Sequence, residues 1–239
     1  LNIDSSTAAN QAVKYFTNGT PLTGLTSGDT YFMSNVSISD FVGTQALYTL
    51  DGNTHTFTSC GRTGREGPTY SDMLASYNVS WENTYLSQGD FQGYQDWVVP
   101  VSGTYQFDVY GASGYEGSGS GAAGRGARVR GRVNLTKGET ITIVVGQRGG
   151  APNSGTTYGG SGGGSFVVRK SGNDPLFVAG GGSADAGSTN GIDGALTNNA
   201  AASGNGELGG ADGNGGSADD LSRSAGGGGF FSRGENSEF

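Results

Sequence analysis

Residues Ala127–Leu135 alternate in character: Arg128, Arg130 and Arg132 fall on one face, Val129 and Val133 on the other. A period of two is the mark of a half-buried strand. Thr140–Val145, Ser165–Arg169 and Leu176–Ala179 are short apolar runs of strand length. Residues 94–99 and 104–110 flank the turn Pro100-Val-Ser-Gly103 and predict a hairpin. Residues 54–60 predict another strand, and Asp29–Asn35 alternates well enough for one more. The best helix is Thr69–Tyr77: Pro68 precedes it, Thr69 can cap it, and Asp72 stands three residues on, as in a capping box. Beyond about Gly180 hardly any strand pattern remains.

Between these runs lies glycine. It supplies 48 of 239 residues, about a fifth, against roughly 7% in ordinary proteins. Past residue 110 it often recurs every third position, as at Gly111, Gly114 and Gly117, and at Gly210, Gly213 and Gly216. Gly162–Gly164, Gly180–Gly182 and Gly226–Gly229 are unbroken. A period of three matches neither the 3.6 of an α-helix nor the 2 of a strand, but it matches an extended threefold helix of the polyproline II kind. Such a helix has no bonds within its own chain, so it needs lateral partners and a clamp at its ends. Strands separated by such tracts predict a mainly β chain, a sandwich carrying glycine helices. Residues 1–50 read as a small β module or connector and 51–239 as the glycine-rich domain.

Composition narrows the classes. Charged residues are 14% and the net charge is -8, so highly charged disorder is excluded. Eleven Tyr, 11 Phe and 2 Trp argue against a floppy linker throughout. Five prolines and broken glycine spacing exclude collagen. No run of 18 apolar residues occurs, so no membrane insertion is expected. Leu1–Asp4 shows no signal-peptide pattern, and the chain starts without Met, as a piece of a longer protein would. N-x-[ST] sequons begin at Asn18, Asn35, Asn78 and Asn134 and matter only in a eukaryotic secretory route.

Several blocks carry a resemblance. They are Thr56–Thr69 around Cys60-Gly61, Trp97–Ala112, Leu135–Gln147, Gly162–Val168 and Pro175–Gly182. In this order they resemble the glycine-rich extracellular region of the anaplastic lymphoma kinase and leukocyte tyrosine kinase receptors, and related bacterial and phage surface domains. The resemblance covers about residues 54–239. It implies a jelly-roll-like β-sandwich with a packed array of polyglycine II helices. The family often pairs the cysteine of the Cys-Gly block with a second one in the following helix, where Met73 stands here. Loss of that bridge suits folding in a reducing cytoplasm. Residues Gly19–Phe32 resemble a short β repeat of phage fibre proteins. Tail-fibre-tip adhesins of phages are similar in architecture.

Candidate chemistry is sparse. Gly119, Gly121 and Gly124 fit G-x-G-x-x-G, but a strand pattern follows where a dinucleotide site needs a helix. His55 is the only histidine, and Cys60, five residues on, has no visible third partner for nucleophilic work. Asp219 and Asp220 read as solvated loop charges. Asp212, Asn214 and Asp219 place oxygens at alternate positions, a weak calcium candidate without the closing bidentate Glu. Arg125, Arg128, Arg130 and Arg132 form a basic patch that suits acidic neighbours or an anionic glycan better than nucleic acid. Tyr115 and Tyr158 interrupt the glycine tracts, either as loop-tip recognition groups or as caps on the array. Phe230 and Phe231, after the last glycine run, read as caps. The candidate receptor-binding residues are therefore Tyr115, Tyr158, Arg128, Arg130 and Arg132.

With the resemblance, the sequence reads as a non-enzymatic virion protein without cofactors, extracellular when functional. It is expected to be a tail-fibre or appendage adhesin binding a host surface protein or polysaccharide. Other virion proteins are expected partners, as is a homo-oligomer, a trimer if part of a fibre. The alternatives are a purely structural capsid, tail or surface-layer protein, and a secreted ligand-binding module.

Overall fold

The structure, a computed structural model, describes strand residues 12–14 and 30–32, then residues 54–77, 82–117, 119–151, 159–185, 187–197, 199, 209–218 and 225–236. Contacts divide the chain into two units, Leu1–Asn53 and Thr54–Phe239. In the first, β1 (Ala12–Lys14) pairs antiparallel with β2 (Thr30–Phe32), so the strand expected at Asp29–Asn35 is seen at residues 30–32, and the rest of that stretch lies outside the described residues. The rest of the fibre-like phrase lies outside the described residues.

The second unit is mainly β. Helix α1 (Tyr70–Tyr77) and the short α2 (Glu82–Tyr85) precede β3 (Leu86–Gln88) and β4 (Tyr94–Val98). Then come β5 (Gly103–Tyr110), β6 (Arg128–Leu135), β7 (Thr140–Val144), β8 (Ser165–Arg169) and β9 (Asp174–Ala179). An antiparallel sheet has the order β3-β4-β7-β8-β9, and β5-β6 forms a separate antiparallel ribbon. The capping box holds: Asp72 accepts from the Thr69 N–H at 2.7 Å, and the Asp72 N–H reaches the Thr69 hydroxyl at 3.3 Å. Met73, fully buried, anchors the inner side of α1.

Two expectations are corrected. Residues 94–98 and 103–110 are strands but not a hairpin: β4 pairs with β3 and β7, and β5 pairs with β6. The chain changes sheets at Pro100, while Val99 exchanges backbone bonds with Glu139 and Gly138 at the next turn. Residues 54–59 carry no strand either. The Thr58 carbonyl instead accepts from the Gln95 side chain, and its N–H donates to the Tyr77 hydroxyl. That keeps the buried Gln95 amide, which also takes a bond from Tyr77, satisfied.

Apolar contacts join ribbon and sheet. Tyr105 meets Trp97 at 5.4 Å and Phe107 meets Phe177 at 5.3 Å between ring centroids. Gly131 makes room for the second pair, since a Cβ there would lie 2.5 Å from the Phe177 ring. Trp97 is buried and the other three rings are half-buried, so each of the three contributes less than the about 1.5–3 kcal/mol of a fully buried large side chain. Deeper in the sheet the buried Asp96 accepts from Lys170 and from Thr142, each at 2.6 Å.

The glycine tracts grow out of the strands in register. Tyr110 faces Arg128 on the ribbon; beyond it Gly111 N–H bonds Ala127 O and Gly114 N–H bonds Gly124 O. Val144 faces Phe166; beyond them Gly163 N–H bonds Gln147 O and Gly160 N–H bonds Gly150 O. Ser165 faces Ala179; beyond them Gly162 N–H bonds Gly182 O. Bonds to one neighbour thus recur every third residue, and the residues between them face other tracts. Ala112 and Tyr115 donate to Gly163 and Gly160 and accept from Gly182 and Asp185. The tracts at 214–218, 225–229 and 233–236 are linked in the same manner, as by Gly216 N–H to Gly227 O and Gly226 N–H to Glu235 O.

Three side chains take over the carbonyl role. Asp185, Asn190 and Asp193 accept from the N–H groups of Gly117, Ala122 and Arg125, at 2.9, 2.9 and 2.7 Å, each across 68 positions. Asp185 is almost fully buried.

A Cβ at Gly181 would overlap the carbonyl of Gly162, whereas one at Gly180 meets nothing within 4 Å. Gly181→Ala should therefore lower stability by about 1–3 kcal/mol, as overpacking does. Gly180→Ala should shift it by less than about 1 kcal/mol. Urea midpoints of the two variants, compared by circular dichroism, test this; equal midpoints would mean the tracts are not in contact.

Candidate functional site

Two surfaces gather groups suited to recognition. The first is the outer face of the β5–β6 ribbon. Alternation leaves Thr104, Gln106, Asp108 and Tyr110 exposed on β5, and Arg128, Arg130, Arg132 and Asn134 exposed on β6. Register sets them opposite one another as Tyr110–Arg128, Asp108–Arg130, Gln106–Arg132 and Thr104–Asn134. Cross-strand neighbours of this kind interact directly.

The three arginines are not equivalent. Arg128 grips Asp108 with two bonds of 2.8 and 2.6 Å, and its guanidinium lies 5.1 Å from the centre of the Tyr110 ring. Arg130 approaches Asp108 only to 3.7 Å, and Arg132 reaches the Gln106 amide oxygen at 3.2 Å. The bond from Arg128, with the charges of Arg128 and Arg130, holds the Asp108 carboxyl below its ordinary range, and Arg128 is raised in turn. Asn134, the one sequon asparagine among the described residues, accepts from the Thr104 hydroxyl at 2.7 Å.

The second surface is a cleft of about 530 Å³ beside β9, with Val178, Leu196, Phe230 and Phe231 among its apolar lining and Asp193 and Asp212 among its polar groups. Phe230 packs on Phe166 at 5.7 Å, which fits a cap. Phe231 does not: it is 72% exposed, and Leu196 is 78% exposed. Asp212 has φ +48, an uncommon value away from glycine. Asn214 donates to Ala211 O at 3.2 Å. Asp219, the third calcium candidate, lies outside the described residues, as does Asp220. Among the described residues no three His, Cys, Asp or Glu side chains gather into a metal site.

Tyr115 sits inside the array, half-buried, with its ring against Gly159, where a Cβ would overlap it. Tyr158 lies outside the described residues. The amides of Gly121 and Gly124 bond Gly187 and Ser183 carbonyls, so they are not a phosphate cradle. The Cys60 thiol turns back onto Thr58, and His55 packs edge-on against Phe57 and Tyr77.

Sequence reasoning missed Tyr110 and Asp108 as members of the arginine face, although alternation along 104–110 carries the signal. It also missed Asp185, Asn190 and Asp193, whose constant offset from their partners is visible only once both tracts are placed.

No family model matches the chain. It is similar to the leukocyte tyrosine kinase receptor of Mus musculus, 36% identical over 99 residues, which cover 39% of this chain and 11% of the receptor. The chain therefore matches only a small part of that relative's length.

The Asp108 carboxyl should titrate below the ordinary value of about 3.9. Because its folded value is depressed, the Arg128 pair contributes stability above the ordinary value and loses it as pH falls through the lower one. Carbon NMR of the carboxyl checks this, with Arg128→Gln moving it up toward the ordinary range while Arg130 keeps part of the depression; an unshifted wild-type carboxyl would contradict the paired geometry.

Proposed function

We propose that the chain is a non-enzymatic attachment protein. Its glycine tracts are polyglycine II helices held on a jelly-roll-like sandwich, and they form a stiff carrier for recognition surfaces. One observation carries this reading: lateral backbone bonds recur at every third residue and continue the strand registers into the tracts. A threefold helix without internal bonds requires such lateral pairing. Contact surface then comes from what the lattice does not use, the ribbon face and the cleft with exposed Phe231.

The setting we propose is a virion fibre or appendage that contacts a host surface protein or polysaccharide. The fibre-like phrase in residues 19–32 supports it. Several copies would compensate for weak single contacts. The partial similarity to a receptor favours a second reading, a ligand-binding module on a cell surface. Both readings are non-covalent recognition and differ in what carries the chain.

Labelled full-length chain should decorate host cells and compete with adsorption of particles that carry it. Replacing residues 152–158, which include Tyr158, should change the range of cells bound. A chain that neither decorates nor competes would leave a purely structural role. The array itself is checked by hydrogen exchange: the amides of Gly114, Gly124, Gly162 and Gly182 should exchange slowly, and instantaneous exchange would remove the carrier.

A further inference from the structure

We propose that the outer face of the β5–β6 ribbon binds a linear anionic polysaccharide. Arg130 and Arg132 are its ionic contacts and Tyr110 its packing surface. This rests on the recognition role proposed above and names the chemistry of one of its surfaces.

Charge is the first argument. The eight outward residues carry three arginines and one aspartate, a formal +2, on a chain whose net charge is -8. The face is thus a local attractor for anions on a molecule that otherwise repels them.

Unspent donors are the second. A guanidinium offers five N–H donors in a planar fork matched to carboxylate and sulfate. Arg128 spends its fork on Asp108. Arg130 has only the 3.7 Å approach, with its side chain 59% exposed. Arg132 has one bond to a neutral amide. Two forks therefore stand beside each other with capacity for an anion. Alternate residues of a strand lie about 6.8 Å apart, so these forks meet a repeating acid better than a single small ion.

The rest of the face selects the polymer class. Tyr110 is 55% exposed, with Arg128 fixed at its ring, so an aromatic surface stands at one end of the arginine row. Gln106, Thr104 and Asn134 add hydroxyl and amide groups along the other pairs. This is a polar strip with one aromatic. A protein interface core would be apolar. A single-stranded nucleic acid would call for a series of aromatic platforms. An acidic glycan, with ring C–H faces, hydroxyls and spaced carboxylates or sulfates, matches the strip group by group.

The test uses the full-length chain on immobilised polygalacturonate and dextran sulfate, with neutral dextran as control, by biolayer interferometry at low and physiological salt. The wild type should bind one or both polyanions and weaken as salt rises, without binding dextran. R130Q/R132Q should weaken binding at least tenfold and flatten the salt dependence. Lys137→Gln, which removes a cation from the exposed β6–β7 turn, should leave binding unchanged. Tyr110→Ala should weaken binding without altering the salt slope. Unchanged circular dichroism certifies the fold of each variant.

Equal binding by R130Q/R132Q, an equal loss in Lys137→Gln, or equal binding to dextran would overturn the proposal. Tighter binding to an oligodeoxynucleotide than to either polysaccharide would replace it with a nucleic-acid surface. Cell decoration unaffected by R130Q/R132Q would overturn this site and keep the attachment role. Polyanion binding without cell decoration would keep the site and remove that role.

Discussion

The structure depends on backbone groups bonding sideways between segments that lack side chains at the contact. Ordering a residue costs about 1–2 kcal/mol, most for glycine, while a hydrogen bond returns a net of about 0.5–1.5 kcal/mol. A free glycine tract therefore has no reason to order. What changes the balance here is continuity with strands. The tracts after Tyr110, Val144 and Ala179 and those before Arg128 and Ser165 begin where a paired strand ends, in the same register. The sheets align the tract ends, so the lateral bonds form between chains already held at the right spacing. The aromatic contacts Trp97–Tyr105 and Phe107–Phe177 tie ribbon to sheet and thus support both sets of tracts.

Such a lattice divides labour between backbone and side chain. Close approach excludes a Cβ at many tract positions, so substitution there is constrained by sterics rather than chemistry. Where a side chain does enter, it imitates the backbone: Asp185, Asn190 and Asp193 each present an oxygen where a neighbouring carbonyl would otherwise serve. The outer ribbon face has no such duty. Beyond the Arg128–Asp108 pair, its residues answer mainly to the alternation of the strands.

Much of this was legible along the chain. Period-two alternation located β6 and the apolar runs located β7, β8 and β9 to within a residue or two, because each strand needs an inward apolar face. Thr69 and Asp72 marked α1, since a capping box is a local device. The period of three in glycine pointed to lateral packing, because the extended threefold helix it fits has no bonds within its own chain. The three arginines were visible on one face for the same reason as the strand itself.

Pairing was not legible. Residues 94–99 and 104–110 look like hairpin partners because they are adjacent, but the first pairs with Leu86–Gln88 and Thr140–Val144 and the second with Arg128–Leu135. The Gln95 bond that holds Thr58 also comes from a distant strand, so the segment 54–59 only resembled one. The difference among the arginines was hidden likewise: Asp108 chooses Arg128 by geometry across the ribbon. Local periodicity is a property of one segment and can be read from it. Which segment lies beside which, and which charge is left unspent, depends on contacts between residues far apart in sequence, and only the tertiary structure decides them.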